Sequence, residues 1–201
     1  MSQTKSVIRK ALVDKIKLLD QNYIDQKSLM ITRNIMDIFS KNINVKVCCL
    51  YLSQSRREVN TKFLLRNLLK QGTLCLIPKL INNSGEMEMT KISCLNEPLQ
   101  LNGFGIWETV SNESFTCLDR VDAVVVPGVG FSLNTGNRLG RGKAYYDKFI
   151  NHILRLNNSC QIIGLALNEQ IADFPCDQWD EPMDIIICPD KVYKIKRKQC
   201  E

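Results

Sequence analysis

The chain has 201 residues, 44% of them hydrophobic and 24% charged, with a net charge of +6. A chain of that length can bury a core without a disulfide staple, and the balance is that of a soluble globular protein rather than a membrane span, since no apolar stretch approaches the ~18 residues a span needs. Nine cysteines, an odd number with no C-x-x-C pair, and a lone His152 with no cysteine at ligand spacing exclude a zinc site and suit a reducing compartment.

Residues 1–201 are read as one domain, with a basic tail over 191–201. The first ten residues lack the apolar core of a secretory signal and the arginines of a transit peptide, so a cytoplasmic location is expected. Ile8, Leu12, Ile16 and Leu19 recur at helical spacing, and Ile31, Ile35 and Ile38 mark a second helix over 25–40. Val45 to Leu52 is an apolar run with β-branched members, interrupted by Lys46 alone, the pattern of a buried strand. Thr61 to Gln71 reads as a helix capped by Thr61 and ended by Gly72. Leu74 to Ile77 is a second buried strand, stopped by Pro78. The turn cluster Asn82 to Gly85 precedes a hairpin strand in which Met87, Met89 and Lys91 alternate. Residues 93–118 show no clear pattern. Val121 to Val126 is a strand ending at Pro127-Gly128, and a glycine-rich stretch runs to Gly142. Tyr146, Phe149, Ile150, Ile153 and Leu154 then lie on a helix starting near Gly142. Gln161 to Leu167 and Ile185 to Cys188 are the final buried strands. Strands alternating with helices predict an α/β protein with a mostly parallel sheet covered on both faces. Ligands of such sheets bind beyond the carboxyl ends of the strands. Of the loops leaving those ends, at 53–58, 127–142 and 168–170, the middle one is richest in glycine and polar residues.

That loop is Pro127 to Asp147, PGVGFSLNTGNRLGRGKAYYD. Its five glycines let backbone amides approach a phosphate, and the free amides of the following helix point to the same place. Arg138, Arg141 and Lys143 add three cations, so the parts compose a polyanion cradle. Neither a Walker loop nor G-x-G-x-x-G after a strand is present. Asp147, one turn into the helix, can hold magnesium beside bound phosphates or simply complement the helix dipole. Asp180 and Asp184, ahead of the last strand, could add a metal contact or be surface acids. Lys191, Lys194, Lys196, Arg197 and Lys198 could touch nucleic acid; a solvated terminus is the plainer reading.

Arg138-Leu139-Gly140-Arg141-Gly142-Lys143-Ala144-Tyr145-Tyr146-Asp147 resembles the R-L-G-R-G-x-G-Y-Y-D signature of the 5-formyltetrahydrofolate cyclo-ligase family. Val126-Pro127-Gly128-Val129-Gly130-Phe131 resembles its V-P-G-x-x-F, Lys5 to Arg9 its K-x-x-x-R, and Leu52-Ser53 with Glu58-Val59 its folate loop. Gly105-Ile106-Trp107-Glu108 resembles the G-I-x-E-P segment, and Gln178-Trp179-Asp180 to Asp184 the late H-D-x-x-x-D. Three departures stand out. Ala144 replaces a glycine, Ser132 replaces the acid that often follows the phenylalanine, and the loops at 132–136 and before Glu58 are each one residue longer.

The resemblance implies a three-layer α/β/α fold like the NagB/RpiA/CoA-transferase-like fold. It implies ATP-dependent closure of 5-formyltetrahydrofolate, or its polyglutamates, to 5,10-methenyltetrahydrofolate, with ADP and phosphate released. Lys5, Ser6, Val7, Ile8 and Arg9 would bind ATP together with Arg138, Leu139, Gly140, Arg141, Gly142, Lys143, Ala144, Tyr145 and Tyr146. Leu52, Glu58 and Trp107 would bind the folate together with Arg141, Gly142, Lys143, Ala144 and Tyr145. Arg141, Lys143 and Tyr145 would be catalytic, and Asp147 with Asp180 would hold Mg2+. Taken alone, Lys5 and Arg9 read as solvated helix charges, Glu58 as a loop acid paired with Arg56 or Arg57, and Tyr145 and Trp107 as packing aromatics. A monomer is expected, with no membrane or nucleic-acid partner. The competing reading is a non-catalytic nucleotide- or RNA-binding module of the same fold.

Overall fold

A computed structural model describes residues 4–53, 58–81, 86–103, 106–110 and 113–196. The turn at 82–85, Arg56 and Arg57, Gly105, and Arg197 and Lys198 lie outside the described residues.

In chain order, α1 (Lys5–Lys17) and α2 (Gln21–Lys41) precede β1 (Val47–Leu50), α3 (Lys62–Lys70), β2 (Leu74–Leu80) and β3 (Met87–Ile92). Two short strands follow, β4 (Leu99–Leu101) and β5 (Trp107–Thr109), then β6 (Ala123–Val126). The glycine-rich stretch contains β7 (Gly130–Phe131) and β8 (Arg138–Leu139) and leads into α4 (Tyr145–Leu156). The chain continues through β9 (Gln161–Leu165), β10 (Ile185–Ile187) and β11 (Val192–Lys194).

Seven strands form one sheet in the order β11-β10-β9-β6-β1-β2-β3. The five inner strands are parallel, and the edges β11 and β3 are antiparallel. Because the inner strands are covered on both sides, successive residues alternate between two cores. Cys48, Leu50, Val125, Ile163 and Leu165 face α2 and α3. Val47, Cys49, Val124, Val126 and Ile162 face α4, through Phe149, Ile150 and Ile153. This is a three-layer α/β arrangement, and the paired Cys48 and Cys49 pack as small hydrophobes, one in each core. In α2, Ile24, Ile31, Ile35 and Ile38 are all buried on one face, and the Asp20 carboxylate accepts from the Asn22 amide at the start. A third, smaller cluster joins Ile8 and Leu12 of α1 to Val129, Leu139 and Phe174. Gly130 permits that approach, since a Cβ there would stand 2.5 Å from Leu12 Cδ1.

Several sequence expectations are corrected. Pro78 does not stop β2, which runs on to Leu80. β2 pairs with β1 only over Leu74–Leu76, so one edge is unpaired at Pro78, where a missing amide breaks no ladder. Thr61 does not cap α3 through its side chain. Its hydroxyl instead donates to the Tyr51 carbonyl and accepts from the Ser53 amide, while Asn60 Oδ1 accepts from the Lys62 amide. Residues 93–118, expected to be irregular, hold the β4–β5 hairpin. Glu108 ties that hairpin to the sheet, its buried carboxylate accepting from the Leu80 amide at 2.8 Å and from Asn102 at 2.6 Å. The last strand is β11, built wholly from residues assigned to the basic tail, and α4 starts at Tyr145 rather than Gly142.

Candidate active site

The parallel strands, numbered along the chain, stand in the order 2-1-3-4-5, so connections leave β1 and β6 in opposite directions. The crevice between two such strands is where an open α/β sheet binds ligands. A cavity of about 730 Å³ opens there. Tyr51 and Leu52 line it after β1, Pro127, Gly128 and Val129 line it after β6, and α1, the start of α4 and residues 177–180 complete the wall.

The stretch from Gly140 to Asp147 lines the cavity continuously. Gly142 has φ +89°, and Ala144, the residue before α4, has φ +54°, the single positive φ of a non-glycine residue among the described residues. Two left-handed positions turn the chain into α4, whose first turn has no side-chain cap and lines the cavity. Alanine in that conformation costs about 1–2 kcal/mol. Ala144→Gly should therefore raise stability by about 0.5–1 kcal/mol after the extra chain entropy of glycine, a rise of about 2–3 °C in Tm by calorimetry. A fall in Tm would mean that the methyl group makes packing contacts outweighing the strain.

Arg138 and Asp147 form the most buried ion pair among the described residues, Nη2 to Oδ2 at 2.9 Å with side chains 5% and 17% exposed. The guanidinium carbon also lies 5.3 Å from the centre of the Tyr146 ring, and its buried Nε has no hydrogen-bond partner among the described residues. Burial pushes the Asp147 carboxyl up from its usual range; Arg138 opposes the rise and the Asp180 charge adds to it. Burial likewise raises the Tyr146 phenol, with Arg138 opposing.

Lys5 reaches across from α1 to two carboxylates, Asp177 at 2.6 Å and Asp180 at 2.5 Å. Burial lowers its ammonium, the two carboxylates raise it further, and the net direction is upward. Arg9 donates from Nε to the Gly140 carbonyl at 2.7 Å, fixing α1 to the glycine-rich turn. Arg141 is more than half exposed, with Nη2 3.9 Å from the largely buried Glu58. Lys143 is exposed and Tyr145 half-buried at the same rim.

The structure thus brings Lys5, Arg9, Leu52, Glu58, Arg138 to Tyr146, Asp147 and Asp180 around one cavity. It does not bring Ser6, Val7, Ile8 or Trp107 to the wall. Ser6 and Val7 face outward on α1, and Ile8 packs into the small core beneath. Trp107 packs against the main core, and its neighbour Ile106 lines the cavity instead. Sequence reasoning missed Tyr51, Asp177 and Trp179. The signal for the last was an aromatic beside Asp180, outweighed by a more familiar motif around Trp107. Ser132, where the resemblance expects an acid, donates to the Asp173 carboxylate at 3.0 Å, so a neighbouring loop supplies one. Among the described residues no group of three or more His, Cys, Asp or Glu side chains could hold a metal by itself. The Asp180 charge helps to raise the Asp147 carboxyl, a repulsion that a dication would relieve.

The profile of the 5-formyltetrahydrofolate cyclo-ligase family matches residues 1–189. A probable 5-formyltetrahydrofolate cyclo-ligase of Schizosaccharomyces pombe is 31% identical over 96% of this chain and 99% of its own length. The 5-formyltetrahydrofolate cyclo-ligase of Saccharomyces cerevisiae is 29% identical over 93% of this chain and 96% of its own. Among solved structures, the 5,10-methenyltetrahydrofolate synthetase of Aquifex aeolicus superposes with a TM-score of 0.73 at 28% identity, covering 94% of this chain and 92% of that one. That of Mycoplasma pneumoniae superposes at 0.74 and 24% identity, over 93% of this chain and 99% of that one, a likeness of fold.

Proposed function

Given that the chain belongs to the 5-formyltetrahydrofolate cyclo-ligase family, we propose that its cavity takes ATP and 5-formyltetrahydrofolate together and closes the folate to 5,10-methenyltetrahydrofolate, releasing ADP and phosphate. The observation that carries the reading is the uncapped start of α4, with Arg141 and Lys143 beside it, opening into a cavity whose other wall is Leu52 and Glu58. One end of that cavity suits a chain of phosphates and the other a flat, hydrogen-bonding ring system.

The chemical difficulty is a weak electrophile, because an N-formyl group is amide-like and its oxygen is a poor leaving group. The formyl oxygen attacks the γ-phosphorus, the bond to the bridging oxygen of ADP breaks, and an iminium phosphate forms. N10 then adds to the formyl carbon and loses its proton, and the C–O bond breaks as phosphate leaves. Both steps depend on alignment and on stabilising charge, with little covalent work for the protein. The amides of Gly142 to Tyr146 hold the phosphates, and Arg141 and Lys143 neutralise charge developing on the transferred group. Arg138 is already committed to Asp147, so it positions that carboxylate and supports the turn. Lys5 and Arg9 present α1 to the nucleotide. Glu58 accepts from the pterin ring, and Tyr145 lines the transfer site.

Mg2+ keeps several waters and usually takes one or two carboxylates with the substrate's phosphates, so Asp147 and Asp180 fit it without a third protein ligand. It would screen the phosphate charge. Polyglutamate tails, a monomeric state and a cytoplasmic location belong to the same reading. No described helix is long and apolar enough to cross a membrane. Similarity to cyclo-ligases along nearly the whole chain favours catalysis over a non-catalytic nucleotide- or RNA-binding module.

The test is direct. Purified protein mixed with 5-formyltetrahydrofolate and Mg-ATP should give the near-ultraviolet absorbance of the methenyl product, with no product when ATP is omitted. No absorbance with all components present would overturn the assignment.

A further inference from the structure

We infer that Trp179 is the stacking platform for the purine base of the bound nucleotide, a specificity contact that rests on the function proposed above. Of the exposed large hydrophobic side chains among the described residues, Trp179 is the one aromatic and the one that lines the cavity. The residue is 68% exposed, so it forgoes most of the burial that an indole would gain in a core. The backbone that carries it is nonetheless held firmly. The Asp180 amide donates to the Asp177 carbonyl at 3.0 Å, and the Asp177 amide donates to the Asp180 carboxylate at 2.9 Å. Lys5 then clamps both carboxylates from α1.

An aromatic face presented from a pinned turn at a cavity rim suits a flat heteroaromatic partner. Two flat groups enter this cavity in the proposed reaction, the adenine and the pterin. Trp179 belongs with the first, since its turn is joined to Lys5 and Asp180 beside the start of α4, whereas Leu52 and Glu58 follow β1 on the other wall. Stacking reads a π face rather than a hydrogen-bonding edge, so the contact selects a purine over a bare polyphosphate and discriminates weakly between adenine and guanine.

The chain has two tryptophans, and Trp107 is half-buried away from the cavity wall, so the emission of each can be separated. Titrating the full chain with ATP should quench tryptophan emission in wild type and in Trp107→Phe and leave it unchanged in Trp179→Phe. Inorganic tripolyphosphate should compete with ATP yet leave the emission unchanged. By calorimetry, Trp179→Ala should weaken ATP binding about tenfold, Trp179→Phe less than about threefold, and tripolyphosphate binding should be unaltered in both. Equal losses for ATP and tripolyphosphate, ATP binding with no change in Trp179 emission, or quenching by 5-formyltetrahydrofolate alone would each overturn the inference while leaving the proposed reaction standing. Failure of the wild-type chain to bind ATP would overturn both.

Discussion

Replacing Arg141 with alanine should lower turnover by about a thousandfold or more while leaving the fold intact. The side chain is 56% exposed and lies outside the three hydrophobic cores. Its ion pair with Glu58 spans 3.9 Å with the guanidinium end in water, so it holds little of the structure. Stability should therefore change by less than about 0.5 kcal/mol, a Tm shift of about 2 °C at most. The transition state differs, because charge moves onto the transferred phosphoryl oxygens beside the start of α4, where a planar five-donor cation is worth about 10³–10⁵ in rate when it is the principal neutralising group. Arg141→Lys should recover only part of the loss, since an ammonium cannot fork two donors onto one phosphoryl group. The methenyl absorbance assay and a thermal melt on the same preparation decide the matter. An alanine variant turning over at near wild-type rate would remove Arg141 from the reaction.

Asp147→Ala should do two kinds of damage at once. Arg138, with a side chain 5% exposed, would keep its charge and lose the carboxylate that compensates it. Breaking a buried pair from one side costs about 3–5 kcal/mol, against about 0–1 kcal/mol for an exposed pair. The packing of Arg138 against Tyr146 would hold part of the guanidinium in place, so the lower half of that range is expected. Urea denaturation measures it. The paired variant Arg138→Met with Asp147→Leu removes both charges and should regain most of the stability without regaining activity. Asp147→Asn keeps an oxygen acceptor for Arg138, so it should fold with a smaller loss. Its half-saturating Mg2+ for nucleotide binding, read by calorimetry, should rise about tenfold once one of two carboxylates is neutral. An unaltered Mg2+ titration in the asparagine variant would remove Asp147 from the metal site, and an unaltered urea midpoint in Asp147→Ala would mean that Arg138 finds another partner.

The limits of sequence reasoning fall along one line. Inner strands announced themselves because both of their faces are buried. Ala123 to Val126 and Ile162 to Leu167 had to be continuously apolar, and a continuous run rich in β-branched residues has few other readings. The edges did not. Val192–Lys194 carries two half-buried residues and one exposed one, which in sequence is a basic tail and in space is the outermost rung beside β10. The β4–β5 hairpin was equally hidden, because its attachment rests on buried polar side chains: Glu108 reaches a backbone amide 28 residues back, and the Thr109 hydroxyl donates to that of Thr90. The two tryptophans show the same limit at the site, where a side chain's neighbourhood depends on which loops converge rather than on the motif it stands in.

What the sequence determined by itself was local: the alternation of buried strands with amphipathic helices, and a run from Arg138 to Asp147 dense enough in glycine, cations and a signature to name a chemistry. What only the tertiary structure decided was convergence. Lys5 meets Asp177 and Asp180, and Arg141 meets Glu58, across separations that no periodicity encodes. The strand order that leaves a crevice between β1 and β6 is what brings them together. Pattern is set by which face of an element must leave water, whereas a cavity is set by how whole elements close on one another.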